Sequence, residues 1–336
     1  GLRLHVAVVH ARGHRPGDRR RRGLVGVLTR GNWLGVDVGG TQTKSVVVTD
    51  GEIGEFESTP TARTGPADTV AGLVAVVADR LRRRPDIDGV GITLPGTFDE
   101  EGRAQVIPNL PGTWAGTAVR EPVALAAGRP VTLINDARAF GLAEATLGAA
   151  RGVRTAVGLV VGTGVGGVVV LDGCLHLGAD GGAGEIGHQV LEPDGPPCGC
   201  GNRGCVESFT RADVIAAAAG QPDVASAALA AADGDERAVG AFVAAGQRLG
   251  HGLANVVTVL RPEVVFVGGG VATAGALILE PMRQRLVELT TLVSPTSYRL
   301  VAAELGTGAG AIGAALAASA PLTELAPVDA SIEAGT

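Results

Sequence analysis

Lysine and aromatic residues are scarce in this sequence of 336 residues. Lys44 is the only lysine, and aromatic side chains make up 3% of the chain; this bias is typical of a GC-rich genome and carries no function. The net charge is -6 at pH 7, so the chain does not neutralise phosphates in bulk, which argues against general affinity for nucleic acid or anionic membranes. We expect a small-molecule ligand and, from the length, two domains.

A long hydrophobic run is also missing. The longest apolar stretch, residues 156–171, is shorter than the roughly 20 residues of a membrane span, and five glycines interrupt it. We predict a buried strand, turn and strand in this stretch. The N-terminal residues lack a continuous apolar core followed by a cleavage site, so we expect no signal peptide and a cytoplasmic protein.

Cysteine is used sparingly, at four positions. Cys198, Cys200 and Cys205 fall within eight residues. In a reducing compartment this spacing favours a metal site over a disulfide. Cys174 is then left as a buried thiol.

The first 30 residues carry eight arginines, four of them consecutive, and show no helical or strand period. We predict that residues 1–30 are disordered, or that they are an extension from a start codon assigned too far upstream. A basic arm for nucleic acid is the weaker alternative. Residues 321–336 are expected to form a flexible tail.

Two similar segments each open with a glycine-rich hairpin. Alternating apolar residues from Leu34 to Val38 lead into a glycine turn and a second strand, and the pattern recurs from Val157 onward. The first glycines of the two turns, Gly39 and Gly162, are 123 residues apart. We infer a duplicated α/β unit whose two glycine turns face one cleft and grip a polyphosphate.

Glycine in such turns lets backbone N–H groups approach phosphate oxygens closely, and a threonine adds a hydroxyl donor. An ordinary hairpin is the alternative for each turn taken alone. Asp37 precedes the first turn and is a candidate ligand for the Mg²⁺ that phosphoryl transfer requires. The candidate nucleotide-binding residues are Asp37, Gly39, Gly40, Thr41, Gly162, Thr163, Gly164, Gly268, Gly269 and Gly270.

An apolar strand ends in Asn135 and Asp136, and a helix is predicted to follow. Ligands in α/β sheets bind at the carboxyl ends of strands. Asp136 is therefore a candidate general base that accepts the proton of a sugar hydroxyl. The alternative is that one of the two residues only caps the helix, and both roles are compatible.

The most specific feature is a set of four metal-ligand candidates, His188, Cys198, Cys200 and Cys205. Three thiolates and one imidazole suit a closed structural zinc site. Glu185 and Glu207 flank this set and are candidates for binding sugar hydroxyls, with simple solvent exposure as the alternative. Asn109, in a loop bounded by prolines, is a further candidate, although it is equally typical of a turn.

These motifs together resemble the ROK family of bacterial sugar kinases and sugar-responsive repressors, over about residues 33–313. The resemblance implies the α/β actin-like ATPase fold, a duplicated ribonuclease H-like unit with two lobes and a cleft between them. Residues 31–136 and a C-terminal helix at about 306–320 would form the small lobe. Residues 137–305 would form the large lobe and carry the zinc loop.

The same resemblance implies ATP-dependent phosphorylation of a hexose at its 6-hydroxyl. ATP, Mg²⁺ and structural zinc are then the expected cofactors, and a homodimer or homotetramer is the expected assembly. Asp136 would be the general base, and His188 would bind zinc through one ring nitrogen and face the sugar through the other. The implied sugar contacts are Asn109, Asn135, Asp136, Glu185, His188 and Glu207.

Three departures from the family pattern lie near the expected sugar pocket. Arg138 stands where the family usually has asparagine, Thr113 separates the proline-rich loop from Trp114, and residues 208–211 lack an expected glycine turn. An amino sugar such as glucosamine, kanosamine or an N-acetylhexosamine therefore stays open as the substrate. Polyphosphate stays open as the phosphoryl donor.

Two other functions are compatible with a sugar site. A sugar-sensing regulator would place a winged helix-turn-helix before the sugar domain, and residues 1–32 show no helical period for one. A pseudokinase would lack a catalytic residue, and no catalytic position is lost here. We therefore favour the kinase.

Overall fold

The computed structural model describes residues 30–108, 110–179 and 181–319. The predictions of a disordered segment before residue 30, of a flexible tail after residue 320 and of a sugar contact at Asn109 lie outside the described residues.

The chain alternates short strands and helices, as predicted for an α/β protein. The strands are β1 (Asn32–Val38), β2 (Gln42–Thr49), β3 (Glu52–Ile53), β4 (Glu57–Pro60), β5 (Gly89–Leu94), β6 (Thr97–Phe98), β7 (Ala104–Val106), β8 (Val131–Asn135), β9 (Ala156–Val161), β10 (Val165–Leu171), β11 (Cys174–Leu175), β12 (Val264–Gly268) and β13 (Arg299–Ala302). The helices are α1 (Pro66–Arg83), α2 (Arg120–Ala127), α3 (Asp136–Leu147), α4 (Val206–Thr210), α5 (Ala212–Ala219), α6 (Val224–Ala232), α7 (Glu236–Leu260), α8 (Ala276–Leu289) and α9 (Ala309–Ser319).

The two larger sheets repeat one topology. The first runs β3-β2-β1-β5-β8 and the second β11-β10-β9-β12-β13. In each, the first three strands of the chain form an antiparallel meander, and the last two pair in parallel. The predicted duplicated unit is therefore confirmed. After β2 the structure has two short strands, β3 and β4, and each pairs antiparallel with β2.

Helices α3 and α9 lie between the two sheets and share a hydrophobic core with β9, β10 and β12. Helix α9 is rich in alanine and glycine and packs directly on β1 and β5. A Cβ on Gly35 would lie 1.8 Å from Ala311 O, and one on Gly91 would lie 1.7 Å from Ala314 O. The C-terminal helix thus packs on the first sheet. The division of the chain into two lobes at residues 136 and 306 stays a prediction.

Each sheet has a second core on its outer face. Helices α1 and α2 cover the first sheet, and α7 and α8 cover the second. In the long helix α7, the side chains of Phe242, Leu249 and Leu253 are fully buried. Within the described residues no single helix could cross a membrane by length and composition, whereas the bent pair Val206–Ala219 and Val224–Ala232 passes that test jointly.

The close contact of α9 with β5 makes a prediction about stability. We expect Gly91→Ala to lower the free energy of unfolding by about 2–3 kcal/mol or more, because the added methyl group would overlap a backbone carbonyl. The control is Gly240→Ala in α7, where a Cβ meets nothing within 4 Å and a gain of about 0.5–1 kcal/mol is expected. Urea unfolding measures both, and a Gly91→Ala variant as stable as the wild type would contradict this packing.

Candidate active site

A cavity of about 420 Å³ lies between the two sheets and receives residues from both halves of the duplication. The first glycine turn contributes Gly39, Gly40 and Thr41, and the second contributes Thr163. Gly269 follows β12 on the same side as Thr163. Two carboxylates, those of Asp37 and Asp136, also line the cavity. The two glycine turns therefore face a single cavity, with acids beside them.

Asp37 is placed by the alternation of β1. Leu34, Val36 and Val38 are buried in the outer core, so Asp37 points to the opposite face, toward the start of α9. A Cβ on Gly310 would lie 2.6 Å from Asp37 Oδ2. Burial, reinforced by the charge of Asp136, raises the pKa of Asp37 to about 7, although Lys44 opposes the shift.

Asp136 begins α3 at the carboxyl end of β8. Its carboxylate faces the open cleft, but the surrounding protein atoms remove enough water to raise its pKa, and the charge of Glu185 adds to this rise. The N–H of Ala137 and the cation of Arg138 act in the opposite direction. A raised pKa on an accessible carboxylate suits a proton acceptor.

Asn135 caps α3. Its side-chain oxygen accepts from the N–H groups of Ala137 (3.0 Å) and Arg138 (3.3 Å), and its amide donates to Gly96 O at 3.0 Å. The capping alternative considered for this position is therefore observed. It fixes the helix end that presents Asp136, while the contact of Asn135 with a sugar stays a prediction.

The candidate nucleotide-binding glycines lie in different local environments. In the first turn, Gly39 N–H donates to Gln42 O at 3.1 Å. After β12, Gly269 has a φ of +88°, and a Cβ there would lie 2.3 Å from Val161 O. Gly268 is buried in β12, where a Cβ would meet the Phe140 ring at 2.6 Å. Packing alone accounts for Gly268, whereas Gly270 has open space around it.

The four predicted zinc ligands converge. The ligand atoms of His188, Cys198, Cys200 and Cys205 all lie within 4.8 Å of one another. His188 Nδ1 is 3.6 Å from Cys198 Sγ, and the Sγ atoms of Cys200 and Cys205 are 3.7 Å apart. The edge of a tetrahedron with Zn–S bonds of 2.3 Å is about 3.8 Å. The donor set therefore fits zinc, while Cys174 lies apart in β11 and is only half-buried.

His188 connects the metal-ligand set to the cleft. Its Nδ1 faces the cysteines, and its Nε2 lies 3.9 Å from Glu185 Oε2. The charge of Glu185 also acts on Asp136 and helps to raise its pKa, and we refer to these three side chains as the polar wall. This wall lies beside the cavity that holds the glycine turns.

Glu207 has a contact that the sequence did not predict. Its Oε2 accepts from Val165 N–H at 2.9 Å, and its Oε1 is 3.6 Å from Cys198 Sγ. A Cβ on Gly164 would lie 2.7 Å from the same Oε2. Ala212 N–H also donates to Gly162 O at 2.8 Å. Glu207 thus links the second glycine turn to the cysteine loop through these two contacts. Its contact with a sugar stays a prediction.

Sequence reasoning missed several residues that line the cavity. Arg63 brings a cation to it, and Gly306, Thr307 and Gly310 form its floor where the chain enters α9. A signal for the last group was present, because residues 306–308 repeat the Gly-Thr-Gly of residues 162–164. Pro95, Phe140 and Val160 supply apolar lining.

The family model described as "ROK family" matches residues 33–320. The chain belongs to the ROK family. This confirms the resemblance and, with the solved ROK structures, the actin-like two-lobed fold. The glucokinase of Thermotoga maritima is 34% identical over 303 residues, which cover 84% of this chain and 95% of that protein.

Two further ROK relatives differ in their sugars. A glucokinase from Streptomyces griseus, solved in complex with glucose and AMPPNP, is 30% identical with a TM-score of 0.75, over 86% of this chain and 99% of that chain. The N-acetylmannosamine kinase of Pasteurella multocida is 30% identical over 84% of this chain and 94% of that protein. This ROK chain is therefore similar to kinases for a plain hexose and for an amino sugar.

The cysteine cluster makes a prediction about metal content. We expect about one zinc per chain, and Cys200→Ser to lose it together with a lower melting temperature, because a hydroxyl is a poor substitute for a thiolate ligand. The matched control, Cys174→Ser, removes the cysteine outside the cluster and should retain zinc. Elemental analysis and thermal unfolding measure this. Full zinc content in Cys200→Ser would contradict the assignment.

Proposed function

We propose that this chain transfers the γ-phosphoryl group of ATP to the 6-hydroxyl of a hexose, with Asp136 as the general base. The prediction of an ATP-dependent hexose kinase is confirmed by the glucokinase relatives. The roles of individual residues are our proposal. The observation that carries it is the single cavity in which two glycine turns from opposite lobes meet two carboxylates.

The ATP phosphates are proposed to lie between the two turns. Backbone N–H groups of Gly40 and Thr41 would contact them from one side, and those around Thr163 from the other. Arg63, which lines the same cavity, is placed to offset phosphate charge. The open surface beside Gly269 and Gly270 is left for the nucleoside.

Asp37 and Asp136 bring two carboxylates to the cavity, and Arg63 brings one cation. Burial, and after it the charge of Asp136, raises the pKa of Asp37. Two carboxylates in such a site are more stable with a bound divalent cation than without one. We propose Asp37 as the Mg²⁺ ligand, directly or through water. When bound, Mg²⁺ neutralises charge that develops on the transferred phosphoryl group.

The sugar is proposed to lie against the wall of Asp136, Glu185 and His188. His188 Nε2 and the Glu185 carboxylate would bind hydroxyls that fix the ring, while Asp136 receives the 6-hydroxyl. The oxygen of that hydroxyl attacks the γ-phosphorus, the bond to the β-phosphate oxygen breaks, ADP leaves, and the proton passes to Asp136. Holding the two reactants in line supplies much of the rate.

Zinc is proposed to act as a structural element of this wall. It would fix the ring of His188 through Nδ1, leaving Nε2 for the sugar. Three thiolates and one histidine leave no open coordination position, so no chemical step passes through the metal. Cysteines that serve as metal ligands agree with a reducing compartment, and we propose that the protein is cytoplasmic. We also propose that it assembles as a homodimer or homotetramer.

An amino sugar is the second candidate substrate. It is favoured by the similarity to an N-acetylmannosamine kinase and by Arg138, which lies in the first turn of α3 and acts electrostatically on Asp136. A cation at this position disfavours a sugar that carries a free ammonium group nearby. Among the amino sugars we therefore rank N-acetylated hexoses above glucosamine and kanosamine.

The test is ADP release with Mg-ATP across glucose, mannose, fructose, glucosamine, kanosamine, N-acetylglucosamine and N-acetylmannosamine. We expect turnover of at least one sugar, and a fall in kcat of about 10²- to 10⁴-fold in Asp136→Asn, because the general base is lost. The control is Asp233→Asn, an exposed carboxylate after α6, which should leave kcat unchanged.

Two outcomes would contradict the proposal. Undiminished turnover in Asp136→Asn would remove Asp136 as the base. Absence of turnover with every sugar, in a folded and zinc-replete sample that binds sugar, would favour a sugar sensor.

A further inference from the structure

Glu144 is a fully buried carboxylate in the middle of the molecule, with 0% of its surface exposed. It lies in α3, two turns after Asp136. Its oxygens accept from three backbone N–H groups: Ala149 at 2.9 Å, Glu304 at 3.1 Å and Leu305 at 2.8 Å. A buried charge is tolerated only when such bonds replace its water. The carboxylate therefore fixes the position of all three donors.

The three donors belong to the two places where the chain passes between the sheets. Ala149 lies in the connection from α3 to β9, by which the chain enters the second sheet. Glu304 and Leu305 lie in the connection from β13 to α9, by which it returns to the first. One side chain thus joins two connections that are about 150 residues apart in sequence.

Both connections lead directly into the active site. Asp136 begins the helix that carries Glu144, and Leu305 is followed by Gly306 and Thr307, which line the cavity. On its other side, Thr307 O accepts from Lys44 Nζ at 3.0 Å. The segment between β13 and α9 is therefore held by Glu144 from one lobe and by Lys44 from the other.

We propose that Glu144 is a positioning residue that holds the two connections at a fixed position relative to each other. Asp136 and the cavity lining at Gly306 and Thr307 are then correctly aligned when the lobes close on their substrates. Glu144 touches neither substrate in this account. The side chains and backbone groups proposed to contact the sugar and the nucleotide are unchanged in a Glu144 variant, so loss of the carboxylate should misalign the reactants without removing their binding groups. The inference rests on the proposed kinase function.

The primary variant is Glu144→Gln, which keeps the side-chain volume but can no longer accept from all three N–H groups. We expect kcat to fall at least about tenfold, since a misplacement of 1 Å can cost about 10²-fold. The KM values for sugar and ATP should stay within about threefold, as for an interaction used only in the transition state. Measurements are made well below the melting temperature of each variant.

Two further variants separate positioning from general stability. Gly148→Ala leaves the charge in place but would put a Cβ 2.2 Å from Glu144 Oε2, so the carboxylate must move and kcat should fall in the same way. Thr146→Val is the matched control, because its hydroxyl is also buried in α3 but bonds only to Leu142 O of the same helix. It should lose some stability and keep kcat within about twofold.

Hydrogen exchange tests the contact without relying on activity. In the wild-type protein, the amides of Ala149, Glu304 and Leu305 should exchange as slowly as those of core strands. In Glu144→Gln they should exchange at least about tenfold faster. Loop-like exchange of these amides in the wild type would overturn the proposal, and this arm applies even if no variant folds.

The kinetic outcomes are equally decisive. A wild-type kcat in folded Glu144→Gln, or an equal loss in Thr146→Val, would overturn the positioning role. A rise in KM without a fall in kcat would also overturn it, because binding rather than alignment would then depend on Glu144. If the wild type phosphorylates no sugar, the proposed function fails, while the exchange result still decides whether Glu144 joins the connections.

Discussion

Two like charges held in one cleft are the constraint on which the rest of the site depends. Asp37 follows from the alternation of β1, and Asp136 from the end of β8, and parallel strands bring both to the same edge of the sheet. Their proximity is unfavourable, and it adds to burial, which is the larger cause, in raising the pKa of Asp37 to about 7. In the proposed function, a divalent cation and a polar substrate relieve this repulsion. The same arrangement would then favour binding of Mg-ATP and a sugar hydroxyl.

The cysteine loop extends this site into the second lobe. His188 uses one ring nitrogen toward the cysteines and the other toward Glu185, and Glu207 links the loop to the second glycine turn. The proposed sugar contacts and the proposed phosphate-binding turn thus share one support. A zinc ion held by the cysteine loop would stabilise both, which gives a physical reason for the proposed structural role of the metal.

The sequence was most informative where local rules decide the structure. Strand alternation around Asp37, the two glycine hairpins and the cysteine spacing were all readable, because each depends on neighbours a few residues away. The contacts of Glu144 with Glu304 and Leu305 and the contact of Glu207 with Val165 were not readable, since these partners lie 42 to 161 residues away in sequence. Asn135 shows the intermediate case, because capping and sugar binding need the same residue type at the same helix end. Gly268 is a second such case, because close packing and ligand approach both select glycine.

The central claim is that the cleft directs the γ-phosphoryl group of ATP to the 6-hydroxyl of a hexose. Proton-coupled ³¹P NMR of the reaction products tests it most directly, because the coupling pattern identifies the carbon that carries the phosphate. The account predicts a phosphomonoester coupled to the two protons on carbon 6, formed in step with ADP. A phosphate on another carbon, or inorganic phosphate as the sole product, would contradict it.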